Sequence, residues 1–145
     1  QRYGATYKAT QVQADKRKST FTANIATAYP AEAEVESWIR SYSLQKGQLR
    51  ISDSFRLTTA KQPNQINFMT WGQVNTEIPG KIQLEVKGKK AVIEYDKQLF
   101  DVKTETIPLT DPRLSNVWGK SIYRITLTAT NIYKTGNYSF IIKKQ

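Results

Sequence analysis

The chain has 145 residues, the size of one ordinary domain, and that length is enough to bury a core without help from metal or disulfides. It contains no cysteine and no histidine, which excludes disulfides, thiolate nucleophiles, Cys- or His-bound zinc and every Ser-His or Cys-His catalytic arrangement. Lys and Arg number 22 against 12 Asp and Glu, a net charge of +10 that favours polyanions such as acidic polysaccharide, nucleic acid or anionic lipid.

The chain opens on Gln1-Arg2-Tyr3 rather than on methionine and has no signal-peptide layout, so it reads as a processed or excised piece of something longer. No apolar run reaches the roughly 18 residues that cross a bilayer, so no membrane span is expected. Residues 3–13 and 18–25 are rich in Thr, Tyr, Val and Phe, with a polar break at 14–17, and predict two strands. Phe21, Ala23 and Ile25 share one face of the second. Residues 26–33 hold the one place for a short helical turn. Pro30 turns Tyr29 away from helical angles, and the segment is expected as a loop.

A hairpin over 33–57 organises the rest. Its second arm alternates, with Leu49, Ile51, Phe55 and Leu57 facing one way and Gln48, Arg50, Ser52, Ser54 and Arg56 the other. With Lys46-Gly47 as a two-residue turn, Leu44 falls opposite Leu49, Tyr42 opposite Ile51, Arg40 opposite Asp53 and Trp38 opposite Phe55. A one-residue slip would set Trp38 against Ser54, so the pattern selects this register.

Turn-forming residues at 58–64 lead to a strand at 65–71 and a loop at 72–79. A second hairpin joins 81–86 to 90–95 around Gly88-Lys89, with Val86 expected opposite Ala91, Leu84 opposite Ile93 and Ile82 opposite Tyr95. A loop at 96–100 precedes a strand at 102–107 that Pro108 ends. Asp111-Pro112 opens one helical turn at 110–115, and the tail supplies strands at 122–129 and 137–142. About nine or ten short strands without an amphipathic helix predict a single all-β domain over 1–145, an antiparallel β-sandwich or barrel.

Few residues carry chemistry. Glu32, Glu34 and Glu36 are spaced i, i+2, i+4, and Glu34 and Glu36 would share a strand face as an acid/base pair or metal site, or as repelling surface charges. Arg40 and Asp53 lie on the face that carries Trp38, Tyr42, Ile51 and Phe55. Charges there must pair, so a cross-strand ion pair is expected, with sulfate or carboxylate binding by the Arg40 fork as the alternative. Trp71-Gly72 and Trp118-Gly119 border loops and are candidate stacking platforms for sugar rings, whereas Trp38 is mid-strand and expected in the core. Lys87-Gly88-Lys89-Lys90 is a basic hairpin tip, either a solvated edge guard or a polyanion contact. No catalytic residue, no metal site and no cofactor motif stands out.

The run Asn24-Ile25-Ala26-Thr27-Ala28-Tyr29-Pro30, then 35–40 with Trp38 and Arg40, then Leu49-Arg50-Ile51-Ser52-Asp53-Ser54-Phe55, resembles the β-sandwich region of heparinase II/III-like polysaccharide lyases. Residues 67–72 and 118–125 resemble the C-terminal part of the same architecture. The resemblance implies a supersandwich-like fold and a parent enzyme with an N-terminal α/α toroid, cleaving uronic-acid, possibly sulfated, polysaccharides by β-elimination in the periplasm or outside the cell. It also implies that base and acid lie mainly in the toroid, as His, Tyr, Asn and Glu. With no histidine in this chain, no catalytic residue carries over. The expected role is a structural or cleft-lining module, with Arg40, Trp71 and Trp118 as candidate substrate contacts and acidic polysaccharide and the toroid as partners. A stand-alone carbohydrate-binding module is the alternative. A nucleic-acid-binding barrel is a third reading, and nucleic acid is not among the expected partners.

Overall fold

The computed structural model describes residues 4–145; Tyr3, the first residue of the strand expected at 3–13, lies outside them. The fold is an all-β, mostly antiparallel sandwich with eleven strands and one short α-helix among the described residues. Two compact units divide the chain. One comprises the described residues up to Gln62 with Ile132–Ile142, the other Pro63–Asn131 with Lys143–Gln145.

In the first unit, β1 (Thr10–Asp15), β2 (Thr20–Asn24), β3 (Val35–Gln45), β4 (Gln48–Leu57) and β11 (Thr135–Lys144) follow one another in the sheet. The β3–β4 hairpin has the expected register: Trp38 faces Phe55, Arg40 faces Asp53, Tyr42 faces Ile51 and Leu44 faces Leu49. Lys46 and Gly47 both take positive φ, 50° and 73°, the primed turn whose twist matches the strands it joins. A bulge between Val35 and Ser37 lets Glu36 drop out of the ladder at the hairpin's open end. Trp38 stacks on Phe55 with centroids 4.9 Å apart, and Tyr138 of β11 packs on Phe55 at 4.8 Å. Gly136 permits that approach, because a Cβ there would stand 3.0 Å from the Phe55 ring. The Trp38 indole N–H is buried in this cluster without a hydrogen-bond partner among the described residues.

Residues 26–33, expected as a loop, form two 3-10 turns, Ala26–Ala28 and Ala31–Ala33, with Pro30 between them. Proline breaks α-helical continuity, yet a single 3-10 turn on either side needs only one or two backbone bonds. Phe21 is more exposed than Ala23 on the same face of β2 and lies against Tyr42, 6.0 Å between ring centres.

In the second unit, β6 (Gln73–Asn75), β7 (Lys81–Val86) and β8 (Lys89–Tyr95) are neighbours, and the chain end at Lys143–Gln145 reaches β8. There Lys143 pairs with Glu94 at 2.8 Å. A separate three-stranded sheet runs β5 (Gln65–Thr70), β10 (Ser121–Ala129), β9 (Phe100–Pro108). Ile66, Ile82, Val92, Ile93, Phe100, Ile125 and Leu127 form this unit's core. The β7–β8 register differs from the expected one by two residues: Ile82 faces Ile93 rather than Tyr95, Leu84 faces Ala91, and Val86 faces Lys89. The turn is Lys87-Gly88, with φ of 49° and 75°, not a longer loop centred on Gly88-Lys89. A shift of two keeps every side chain on its face, so alternation alone does not distinguish the two pairings. The strands expected at 122–129 and 137–142 are present but belong to different sheets.

Candidate binding site

Two ladders and one helix build a cup in the second unit. In β5, Met69 and Trp71 are two apart and share a face, Trp71 following directly on the strand's last residue. The β5–β10 register, Thr70 against Tyr123 and Met69 against Arg124, carries Trp71 to the level of Ile122. On the other side of β10, the ladder with β9 ends at Pro108–Ser121 and is prolonged by the Leu109 N–H, which donates to the Lys120 carbonyl at 2.8 Å.

The segment between those strands is closed at its base and folds into α1 (Pro112–Trp118). Asp111 caps it: its carboxylate accepts from the Arg113 N–H at 2.9 Å, and Pro112 at the first helical position loses no needed donor. The helix runs three residues past the turn expected at 110–115. Its extension puts Leu114 and Trp118 four apart, on one face.

Trp71 and Trp118 meet edge to face, with ring centres 6.2 Å apart and planes at 70°. Met69, Thr70, Trp71, Leu109, Leu114, Trp118 and Ile122 line a cavity of about 260 Å³ whose walls are mainly apolar. Both tryptophans keep a large exposed fraction, 37% for Trp71 and 46% for Trp118, so the cup is open to solvent. The Lys87 ammonium stands over the Trp71 ring, 5.4 Å from its centre, which places a cation at the rim.

Of the three substrate-contact candidates read in the sequence, Trp71 and Trp118 come together here, while Arg40 belongs to the other unit. There Arg40 and Asp53 form the expected ion pair. Nε and Nη2 of the guanidinium donate to the two carboxylate oxygens at 2.7 Å each, and the Asp53 side chain is fully buried. The bond to Asp53 raises the Arg40 pKa above its ordinary value, against the opposing effect of burial. With its fork occupied by Asp53, Arg40 serves first as a strut of the sheet.

Glu34 and Glu36 do not face one another as strand neighbours. Glu34 ends a 3-10 turn in the left-handed region at φ 52°, where its carboxylate accepts from the Thr59 hydroxyl and pairs with Lys61 at 3.2 Å, and Glu36 approaches Arg56 at 4.0 Å. Among the described residues no three Asp or Glu side chains gather as a metal site.

Met69, Leu109, Leu114 and Ile122 as cup residues, and Lys87 as a partner of Trp71, are not among the candidates singled out in the sequence. The i, i+2 spacing of Met69 and Trp71 was visible, and so was the i, i+4 spacing of Leu114 and Trp118 once the helix is allowed to reach Trp118. No protein-family model matches this chain, and no curated protein matches it.

Proposed function

We propose that the chain is a non-catalytic β-sandwich module that binds acidic polysaccharide, seating one sugar ring against Trp71 and Trp118. The observation that carries this reading is the convergence of two half-exposed tryptophans, from β5 and α1, around an apolar cup with a cation at its rim. An indole face packs well against the C–H face of a pyranose, and apolar aromatic surface left open to water marks an interaction site. The cup is somewhat below the roughly 300 Å³ at which pockets for larger small molecules begin, a size for one ring of a polymer. A ring bearing a carboxylate or sulfate suits both the rim cation and the net charge of +10.

The resemblance to heparinase II/III-like polysaccharide lyases supplies the setting. Within such an enzyme, periplasmic or secreted, this module lines the substrate path while a toroid domain performs the β-elimination. Among the described residues that line the cup there is no carboxylate, histidine or cysteine for acid-base or nucleophilic work.

The test is titration of the chain with oligosaccharides of uronate or sulfated sugars at about 0.15 M salt, where long-range charge effects are already screened. Saturable binding is expected, weakened about tenfold in Trp71→Ala and in Trp118→Ala, because stacking on an aromatic face contributes roughly 1–3 kcal/mol. Thermal unfolding of both variants checks that they remain folded. Binding that the two substitutions leave unchanged, or that vanishes for every polyanion together as salt rises, overturns the reading.

A further inference from the structure

The Lys87–Trp71 contact is set by the fold rather than by the chance reach of a surface lysine. In the β6–β7 ladder Gln73 faces Glu85 and Val74 faces Leu84, and the same register carried two residues outward sets Trp71 opposite Lys87. Gly72, between Trp71 and Gln73, makes the approach possible: a Cβ there would stand 2.3 Å from Val86 Cγ2 and 2.5 Å from the Glu85 carbonyl oxygen. On the other arm, Lys87 is the first central residue of a two-residue turn, held at φ 49°. Both backbones are fixed, and the ammonium is delivered over the indole at 5.4 Å.

Three of the neighbouring cations are already matched with carboxylates, whereas Lys89 of the same hairpin and Lys120 have no such pair among the described residues. Lys90 pairs with Glu85 at 3.8 Å, Arg124 with Glu105 at 3.4 Å, and Arg113 on the cup's helix with Asp111 at 2.7 Å. The Arg113 pair is tight enough that its hydrogen bonds hold Asp111 below the usual carboxylate range. Among the described residues no carboxylate bridges to Lys87, whose contact is an uncharged ring.

We propose that Lys87 is the residue by which the cup selects anionic over neutral sugars, pairing with the carboxylate or sulfate of a ring stacked at Trp71. The inference rests on the carbohydrate-binding role proposed above. The contact of an exposed ammonium with an aromatic face is weak and easily redirected toward a full negative charge. A lysine presents a compact point charge on a flexible stem, without the fixed fork of arginine. It therefore reads the presence of an anionic substituent and is tolerant of its geometry, so uronates and sulfated sugars both fall within its class.

The experiment titrates the whole chain with a tetramer of mannuronate and, in parallel, with the neutral mannose tetramer of the same linkage. Lys87→Gln is expected to weaken uronate binding about fivefold and leave the neutral tetramer unchanged, with Lys87→Arg restoring the preference. Trp71→Ala is expected to weaken both ligands together. If Lys87→Gln lowers both affinities equally, or neither, Lys87 is not the selector while the stacking site stands. If the wild-type chain binds neither tetramer, the carbohydrate reading falls and this assignment falls with it. Unfolding of each variant by heat reports whether the turn is intact.

Discussion

The Arg40 guanidinium donates through Nε and Nη2 to the two carboxylate oxygens of Asp53, 2.7 Å each, from directly across the β3–β4 ladder. Asp53 is fully buried two pairs along from the Trp38–Phe55 stack, and the Arg40 side chain is 24% exposed. The pair therefore combines a desolvated anion with a cation that still touches water.

Removing one partner strands the other. Asp53→Ala is expected to cost about 3–5 kcal/mol in urea unfolding, and the double variant Arg40→Met with Asp53→Leu much less than the sum of the singles, because apolar groups of similar volume leave no buried charge behind. Hydrogen bonding to Asp53 raises the Arg40 pKa, so the stabilisation from its charge is complete below the ordinary arginine range and is lost only as pH climbs beyond it. The stability gap between the wild type and the Arg40→Met, Asp53→Leu double variant, in which neither position titrates, is accordingly expected to stay level from about pH 6 to about pH 10. An intermediate loss near neutrality would contradict that assignment.

This hairpin was legible because three independent signals agree: alternation on one arm, a turn dipeptide that favours positive φ, and a lone charge pair that only one register satisfies. The β7–β8 hairpin had the first two signals, but its charge pairs, Glu85 against Lys90 and Lys81 against Glu94, lie on the solvent-facing side, where a surface pair selects register only weakly, so its turn was placed differently and its register fell two residues off. The length of α1 was not readable from propensity, since Asn116, Val117 and Trp118 are indifferent helix formers. The Asp111 cap and the closed loop base decide it. Trp71 and Trp118 were each legible as loop-bordering aromatics. Their meeting was not, because it depends on the pairing of β5 with β10 and the folding of α1 beside it, which no local pattern encodes.

Gly72 is expected to be the least replaceable glycine in the second unit. A methyl group there meets Val86 Cγ2 at 2.3 Å and the Glu85 backbone at 2.5 Å, and backbone cannot yield as a flexible side-chain end can. Gly72→Ala should force β6 away from β7 at a cost of about 1–3 kcal/mol or more, and should alter the fluorescence of Trp71 as its surroundings shift. Gly88→Ala, where the added Cβ meets nothing within 4 Å, should cost only the strain of φ 75°, about 1 kcal/mol, and leave that fluorescence unchanged. Comparing the two melts and spectra checks the assignment.

Acid should loosen the open end of the β3–β4 hairpin through Glu34. The Thr59 hydroxyl first, and Lys61 second, hold its carboxyl below the ordinary value of 4.5. A depressed carboxyl pKa contributes stability above the ordinary value and loses it as pH falls through the lowered one. The melting temperature of Glu34→Gln should therefore lie slightly below that of the wild type near neutrality and converge with it in acid. A gap that persists unchanged at low pH would show that the carboxylate's charge is not what joins Glu34 to Thr59 and Lys61.

The cup should fail when its helix does, even though the sandwich survives. A seven-residue helix is too short to persist on propensity alone, and among its own residues none is buried. Its placement rests on Asp111, which caps the Arg113 N–H and also grips the Arg113 side chain, and on the base closed by Leu109 and Lys120. Asp111→Ala removes both functions of one side chain, whereas Arg113→Ala removes the grip and keeps the cap. The expected result is that Asp111→Ala leaves global unfolding almost unchanged and speeds hydrogen exchange through residues 112–119. It should also weaken oligosaccharide binding several-fold as Trp118 loses its fixed place beside Trp71, with Arg113→Ala milder on each count. Slow exchange in Asp111→Ala would mean that Leu114 and Trp118, packed in the cup, hold the helix by themselves, and the direction of dependence between cap and cup would be reversed.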